Sequence, residues 1–482
     1  MNLSELIADL NNAKVRGPID IDITGIAYDS RQVEMGNIFV CICGFKTDGH
    51  KYIQDAVKKG AAAVLVQNDI PYHEGITFVK VDDTRKALAI ISAAYFCYPS
   101  KKLKLIGVTG TNGKTTTTYM IKSILEQQGY KVGLIGTISN IIGDKKIESK
   151  RTTPESYDLQ KMFYKMAGLH TDYCVMEVSS HSLALERVYG CFFNVGIFTN
   201  LTRDHLDFHK TFENYLNAKV KLFNQSKIAA VNIDDNYSDD VIKKIKIPVA
   251  SYSVNNKADV TACDIEITST FSIFKINYKE ESIKVNLPLP GRFNVYNALA
   301  AASACIYEGV PLSTIKKGLE SIKGIPGRSE VIKSDKGFTV IIDYAHTPDG
   351  LLNILNTVKE YVKGHIITVF GCGGDRDKTK RPIMGEIAGR LSDFCMVTSD
   401  NPRSEDPDAI IDDILPGIKK ATHDYKVIAD RKEAIKEAIG LAKADDVVVI
   451  AGKGHETYQI LKDKTIHFDE REIVRDILKS AN

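Results

Sequence analysis

"LKLIGVTGTNGKTTTTYMIKSILEQQGY", residues 103–130, is the stretch on which the fold turns. It opens with an apolar run of strand length, passes through a glycine-rich turn, and continues into a segment where Ile121, Ile124 and Leu125 recur at helical spacing. The strict phosphate-loop pattern GxxxxGK[ST] is not met, because Val108 stands where the first glycine belongs. Gly110, Gly113, Lys114 and Thr115 remain, set between a strand and a helix. Glycines let backbone N–H groups close on phosphate oxygens, the helix N-terminus adds its dipole, and Lys114 supplies a point charge. Thr115 is then placed to hold Mg²⁺. The plain alternative is a glycine turn before a helix; the agreement of strand, loop, Lys-Thr pair and helix favours ATP.

On either side the pattern repeats. Apolar runs at 173–180 ("YCVMEVSS"), 195–201 ("VGIFTNL") and 228–235 ("IAAVNIDD") alternate with helix-like segments, which predicts an α/β fold with a mostly parallel sheet and helices on its faces. Residues 1 to about 99 mix short strands ("DIDITGIAYDS", "GNIFVCI", "AAAVLV", "ITFVKV") with helices. "MNLSELIADLNNAKVRG" reads as an amphipathic helix, and "CYPSKKLK" as a linker. After a second Gly-Pro break, "GIPGRSE" at 324–330, come "FTVIIDYAHTPD", "HIITVFGCGGDRD", "FCMVTSDNPRSED" and "VVVIAGKGHE". Each is an apolar strand running into a polar, glycine-rich or acidic loop. In open α/β sheets ligands gather outside the carboxyl ends of the strands, so these four loops are expected along one edge. The expected organisation is a small N-terminal α/β domain (1–99), a central ATP-binding domain with a phosphate loop (100–325) and a C-terminal Rossmann-like α/β domain (326–482).

The 482 residues suit about three domains. Lys plus Arg number 63 against 61 Asp plus Glu, a net charge of +2, so nothing global argues for nucleic acid or a membrane surface, and any anion must be held locally. No apolar run reaches the length of a bilayer span, and the N-terminus lacks the basic, apolar and small-residue layout of a secretion signal. The nine cysteines are scattered singly, as thiols of a reducing compartment are, and the cytoplasm is the expected location.

Magnesium prefers oxygen ligands and calls for a carboxylate at a neighbouring strand end. Glu177 in "YCVMEVSSH" is one candidate. Asp204, His205, Asp207 and His209 in "NLTRDHLDFHK" form a denser group. A zinc site is imaginable there, but no cysteine stands nearby; helix capping by Asp204 or Asp207 is the bland reading.

Taken in order, "GTNGKTT", "MEVSSHSLALERV", "TNLTRDHLDFH", "GRFNVYNALAA", "DYAHTPD", "GCGGDRDKTKRP", "DNPR" and "GKGHE" resemble the Mur ligases of peptidoglycan synthesis over almost the whole chain. The likeness is greatest to the members that join 2,6-diaminopimelate to UDP-N-acetylmuramoyl-L-alanyl-D-glutamate. "YDSRQVEMGNIFVCICGFKTDGHKYI" looks like the UDP-binding domain of those enzymes. The resemblance implies ATP-dependent amide synthesis: the D-glutamate γ-carboxylate takes the γ-phosphoryl of ATP to give an acyl phosphate, and the incoming amine displaces phosphate. Magnesium and Lys114 spread the charge of the transferring group.

Residue by residue, the resemblance places Gly110, Thr111, Asn112, Gly113, Lys114, Thr115 and Thr116 on ATP, with Asn294, Arg328 and Asp343. Thr115, Glu177 and His205 match magnesium positions. Lys219 matches a lysine that is carbamylated in the family, although from its own surroundings it reads as a solvated helix lysine. Lys114, Lys219, Glu177 and His205 make up the implied catalytic set. For the UDP-muramoyl dipeptide the matches are Ser30, Phe45, Lys46, Thr47, Thr152, Thr153, Ser179 and Arg187. Leu185 and Arg151 depart from the family's usual Gln and Asn. A monomer is expected.

Arg376, Arg403, Gly452 and Glu456 all lie on the strand-end loops, and with Asp400, Asn401 and Pro402 they form the expected diaminopimelate site. An arginine fork suits a carboxylate and Glu456 suits an ammonium. Meso-diaminopimelate carries both at its far end, whereas L-lysine has no second carboxylate to meet Arg403. The competing readings are the same ligation with L-lysine, a folate-type glutamate ligase, which would leave the N-terminal domain and "DNPR" unexplained, and a nucleotide-dependent switch, which has no use for "DYAHTPD" and "GKGHE".

Overall fold

The computed structural model describes residues 1–44, 47–71 and 75–480, so Phe45 and Lys46 of the expected UDP-muramoyl contacts lie outside the described residues. The chain divides into two compact units: Met1–Thr109, Tyr130–Gly196 and Ala218–Ile228 form one, and Gly110–Gly129, Ile197–Asn217 and Ala229–Asn482 the other.

The first unit begins with a five-stranded sheet in the order Lys14–Arg16, Thr77–Lys80, Ala63–Val66, Asn37–Val40, Gly25–Ala27, parallel except at the first pair. Ala63–Val66 and Asn37–Val40 are buried at every position, as parallel strands covered on both faces must be. The helix Thr84–Tyr95 packs Leu88 and Ile91 into the core on one face, and the Asp83 carboxylate caps it by accepting from the N–H groups of Arg85 and Lys86. The expected N-terminal helix shrinks to Leu3–Leu6. The Asn-Asn pair that follows favours a turn, Asn12 takes a left-handed φ of 59°, and the chain re-enters as the strand Lys14–Arg16. "DIDITGIAYDS" likewise keeps only Gly25–Ala27 as strand.

Further along the same unit, Lys104–Thr109 and Val132–Ile135 flank Tyr173–Glu177 in parallel, and Glu177 pairs with Val108 at the strand ends. An antiparallel hairpin, Ser139–Ile142 with Lys145–Glu148, extends that side.

In the second unit the helix Lys114–Gln127 starts directly after Gly113 and buries Ile121, Ile124 and Leu125, the residues whose spacing predicted it. The Ala-rich helix Arg292–Tyr307 is buried on nearly every side. Strands Val260–Ile267, Ser272–Tyr278 and Glu281–Leu287 form an antiparallel meander. Together with the hairpin it makes the central region more mixed than the repeat of apolar runs suggests, because half-exposed antiparallel strands give weak apolar signals. The last sheet has six strands in the order Glu330–Lys333, Thr339–Asp343, Val447–Ala451, Ile366–Phe370, Phe394–Val397, Tyr425–Val427, antiparallel only at the first pair. Cores on both of its faces confirm a doubly wound layer. All four strands read from the sequence are parallel neighbours, so their loops emerge on one edge. No helix among the described residues is long and apolar enough to cross a membrane.

Candidate active site

The phosphate loop is held by hydrogen bonds to asparagines and to its own carbonyls. Gly113 sits at φ 86°, and a Cβ there would overlap Asn297 Oδ1, so only glycine fits. The Thr111 and Asn112 N–H groups donate to Asn200, at its backbone O (3.0 Å) and its Oδ1 (2.8 Å). Lys114 Nζ lies back over the loop and donates to the Gly110 and Thr111 carbonyls at 2.9 and 2.8 Å. Thr115 and Thr116 are buried in the first turn of the helix.

Asn294 donates to the Pro290 carbonyl at 2.8 Å and accepts from Asn297 at 3.1 Å, and through Asn297 it reaches the loop. Arg328 comes from the Gly-Pro break: its Nη2 donates to Thr115 Oγ1 at 3.0 Å while the guanidinium lies 4.7 Å over the Tyr344 ring. Asp343 accepts from the Ser329 N–H at 2.6 Å and so fixes the backbone beside Arg328; desolvation raises its pKa.

His205 begins a short helix at φ 56°, with Nε2 3.3 Å from Asp204 Oδ2. Asp204 is buried, which alone would push its carboxyl up, but His205 and Lys380 overcome this and hold it well below the usual range. Lys380 Nζ, also buried, lies 3.9 Å from Asp204 and donates to the His346 carbonyl at 2.9 Å. Asp204 is therefore more than a helix cap.

On the carboxyl edge of the last sheet the expected loops meet. Arg403 has φ 54°, an uncommon left-handed setting for arginine, and its Nη1 donates to the Gly374 carbonyl at 2.7 Å. A Cβ at Gly373 would stand 2.9 Å from that nitrogen. Burial and the nearby Arg376 push the Arg403 pKa down. Neither guanidinium has a carboxylate within ion-pair distance among the described residues; Arg376 bonds only the Asp375 carbonyl, at 2.9 Å. Glu456 Oε2 accepts from Asn401 Nδ2 at 2.8 Å and from Lys453 Nζ at 2.9 Å. The Asp400 carboxylate lies against Gly452, where a Cβ would come within 2.5 Å of Oδ2. Asn401 Oδ1 also accepts from Lys453 Nζ and from the Ile460 N–H. Pro402 is buried, its carbonyl pressed against Gly374.

In the first unit Glu177 is buried at a strand end, with Oε1 accepting from the Thr137 N–H at 2.7 Å and Oε2 from Thr137 Oγ1 at 2.9 Å. Thr152 Oγ1 lies 3.0 Å from Thr137 Oγ1, and Thr153 Oγ1 donates to the Glu177 carbonyl at 2.9 Å and accepts from the Ser179 N–H at 3.1 Å. Arg187 spans the Thr153 carbonyl and Glu155 Oε2, both at 3.2 Å; burial lowers its pKa. Arg151 points to the same Glu155 oxygen at 3.5 Å, and Leu185 ends the short helix Ser180–Ala184. Ser30 opens a turn of 3₁₀ helix and Thr47 Oγ1 lies 3.0 Å from Tyr52 Oη. Lys219 is 1% exposed, so the solvated reading of this lysine is wrong.

Three family patterns match in order: "Mur ligase family, catalytic domain" over residues 22–96, "Mur ligase middle domain" over 108–305, and "Mur ligase, glutamate ligase domain" over 327–454. The chain is 53% identical over 485 residues to the UDP-N-acetylmuramoyl-L-alanyl-D-glutamate–2,6-diaminopimelate ligase of Clostridium tetani, covering 99% of each. This chain belongs to the Mur ligase family. A ligase of the same name from Clostridium acetobutylicum, numbered 1 there, is 54% identical with 99% of each chain covered. A solved structure of a UDP-N-acetylmuramoyl-L-alanyl-D-glutamate–2,6-diaminopimelate ligase superposes with a TM-score of 0.70 at 33% identity, covering 100% of this chain and 99% of that one. The fold class is accordingly α/β with three Mur ligase domains.

Several residues of this Mur ligase escape sequence reasoning. Asp349 accepts from Asn112 Nδ2 at 2.6 Å across 237 residues, and burial raises its pKa. Arg381, 1% exposed, bonds Glu405 through both terminal nitrogens (2.9 and 3.0 Å) and Asp413 at 2.8 Å; this Arg381 contact holds Glu405 down to about 2. Arg431 and Glu470 form an ion pair with no exposure at all, at 2.7 Å, while Arg431 also donates to the Ser399 and Ala451 carbonyls at the ends of two strands. Asn297 is the second Asn of "GRFNVYN", Asp349 closes "DYAHTPD" and Arg381 lies in "GCGGDRDKTKRP", whereas Arg431 and Glu470 lie in none of the quoted motifs.

Proposed function

We propose that this Mur ligase joins meso-2,6-diaminopimelate to the D-glutamate γ-carboxylate of UDP-N-acetylmuramoyl-L-alanyl-D-glutamate, at the cytoplasmic stage of peptidoglycan precursor synthesis and as a monomer. ATP drives the reaction. The observation that carries the choice of amino acid is the pairing, on one edge, of two guanidiniums without a carboxylate at ion-pair distance among the described residues and a glutamate whose second oxygen accepts no hydrogen bond from them. A ligand whose far end bears both a carboxylate and an ammonium satisfies all three; L-lysine would leave the arginines facing nothing. Relatives matched over 99% of the chain carry the corresponding name.

A carboxylate is a poor acyl donor, so it is first phosphorylated. A γ-carboxylate oxygen attacks the γ-phosphorus, the bond to the β-phosphate oxygen breaks, and ADP leaves. The neutral amine then adds to the acyl carbon, and the tetrahedral intermediate releases the proton of its nitrogen to solvent and expels inorganic phosphate. The loop from Gly110 to Thr116 receives the ATP phosphates, with the Thr111 and Asn112 N–H groups tied to Asn200; Lys114 turns from its own loop carbonyls onto the transferring group, and Arg328 adds a second cation at Thr115. Asn294 and Asp343 fix the nucleotide pocket by bracing Asn297 and the backbone beside Arg328.

Thr115 and Glu177 offer hard oxygens and His205 an imidazole, and carbamylation would turn buried Lys219 from a cation into an anionic oxygen donor, so each of these side chains is of a type that magnesium accepts. Magnesium, when bound, neutralises charge developing on the phosphoryl group. Thr152, Thr153, Ser179 and Arg187 receive the dipeptide, and Ser30, Phe45, Lys46 and Thr47 the UDP-sugar. Arg376, Asp400, Asn401, Pro402, Arg403, Gly452 and Glu456 make up the diaminopimelate edge. Residues 1–99, 100–325 and 326–482 serve as the UDP-muramoyl, ATP and amino-acid domains.

The test is phosphate release with product mass, run with meso-diaminopimelate and L-lysine side by side. Release should require the UDP-muramoyl dipeptide and diaminopimelate together. Equal use of lysine would favour the lysine reaction, and release with neither substrate would favour a nucleotide switch. Arg403→Ala should erase the preference for diaminopimelate; an unchanged preference would overturn its role as selector.

A further inference from the structure

Lys453 has no exposure, an uncommon state for a lysine. It follows Gly452 at the end of Val447–Ala451, with its ammonium 5.7 Å from the Tyr458 ring and 6.0 Å from the Phe468 ring. Its Nζ donates to Glu456 Oε2 at 2.9 Å and to Asn401 Oδ1 at 3.1 Å. Asn401 Nδ2 donates to the same Glu456 oxygen at 2.8 Å. One carboxylate oxygen of Glu456 is thereby saturated by two donors, and Oε1 is the lobe left for a ligand.

We propose that Lys453 is a specificity-determining positioning residue, which neutralises Glu456 from behind so that the edge rejects diamino acids with a single carboxylate. The inference rests on the ligase reading above. An uncompensated carboxylate in a partly desolvated site attracts any ammonium, the side chain of L-lysine included. With Lys453 beside it, Glu456 keeps its acceptor geometry but little net field. An ammonium arriving alone then gains a hydrogen bond and meets the repulsion of Lys453, Arg376 and Arg403. An ammonium arriving with a carboxylate brings its own partner for the two arginines. Arg403 rewards the second carboxylate, and Lys453 withholds reward from the ammonium.

The experiment measures kcat/KM for meso-diaminopimelate and for L-lysine in wild type, Lys453→Met, Lys453→Arg and Lys453→Gln. Methionine keeps the apolar stem between the two rings. Lys453→Met should shift the ratio toward lysine by roughly tenfold to a hundredfold, the scale of one unit charge acting over several ångströms in a site of intermediate dielectric. Lys453→Arg, which keeps the charge, should hold the ratio. If Lys453→Met does not fold, Lys453→Gln supplies a neutral donor to Glu456 and should move the ratio the same way. In a Glu456→Gln background Lys453→Met should shift the ratio by less than it does in the wild type, because the part of the effect that runs through Glu456 is gone. Equal losses for both amino acids, or a ratio moving toward diaminopimelate, would overturn the proposal. A wild type that makes no product from diaminopimelate would sink the ligase reading instead, so the two failures are distinct.

Discussion

The phosphate loop and the amino-acid edge both present cations to an anionic ligand, yet they are built in opposite ways. The loop is made of backbone N–H groups, glycines and the amides Asn200, Asn294 and Asn297, and its one lysine rests on its own carbonyls. The edge is mounted on one fully buried ion pair, Arg431–Glu470, and on two buried cations with partly exposed partners, Lys453–Glu456 and Arg381–Glu405, while Arg376 and Arg403 have no acidic partner at ion-pair distance among the described residues. Phosphate is much the same in every nucleotide, and a helix N-terminus meets it adequately. A zwitterionic amino acid has to be told from near relatives that differ by one carboxylate. That requires charges fixed in place, and fixing them in a partly dry interior requires counter-charges.

The largest effect in this comparison should come from breaking the mount. Glu470→Ala leaves Arg431 buried without its partner and should destabilise the unit by about 3–5 kcal/mol in denaturant titration. Arg431→Met with Glu470→Leu should recover much of that loss, since a well-packed apolar pair avoids the desolvation of both charges. If the single change were harmless, the edge would not depend on this pair. Next comes the loop. Lys114→Ala should reduce kcat about 10²–10³-fold, equally with diaminopimelate and with lysine, because the charge it stabilises belongs to the phosphoryl group in either reaction. A loss confined to one amino acid would contradict the separation of the two regions.

That contrast also explains what the sequence disclosed. The loop is legible because its parts are contiguous: strand, glycines, Lys-Thr and helix lie within 103–127, and periodicity reports each. The four strand-end loops are legible for the same reason, and parallel pairing does gather them on one edge. Apart from Lys453–Glu456, three residues apart, the mounts are silent because burial of a charge is decided by partners far away in the chain. Glu470 lies 39 residues from Arg431, and Asp349 lies 237 residues from Asn112. Lys219 shows the limit most plainly: a lysine on a helix reads as solvated, yet this one sits between the buried Ala218 and Val220 and is itself buried.

Glycine substitutions offer a cleaner division at smaller cost. Gly113→Ala demands both a left-handed φ and space held by Asn297, and should raise KM for ATP while leaving discrimination between amino acids intact. Gly373→Ala meets only Arg403 Nη1 at 2.9 Å, the end of a side chain able to yield. It should raise KM for diaminopimelate and narrow its advantage over lysine, with KM for ATP unchanged. The two variants are expected to cost about 1–3 kcal/mol in their respective substrates. Crossed effects would mean that the regions are coupled more tightly than their separate bonding implies.

The smallest effect is a pH dependence that belongs to the ground between them. His346 and His455 lie against Tyr344, with ring centroids 4.5 and 4.8 Å away, and desolvation lowers them to about 4 and about 3 respectively, with cations such as Lys380 and Arg328 adding to the shift. Both are therefore neutral in the folded protein under conditions where the unfolded chain, at an ordinary pKa near 6.5, takes up protons. As pH falls below 6.5 the unfolded state gains protons that the folded state refuses, so stability declines from there down to about pH 4, where His346 begins to charge in the folded state as well. Glu405 contributes the same sign in a lower window: held at about 2 by Arg381, it stabilises the fold above its ordinary value of 4.5 and loses that contribution as pH drops toward 2. Replacing both histidines by glutamine should flatten the thermal-stability profile between pH 6.5 and 4 and leave the steeper fall below pH 4.5 in place. A profile unchanged by the double substitution would show that these rings charge without penalty, and that the space around Tyr344 is wetter than its packing indicates.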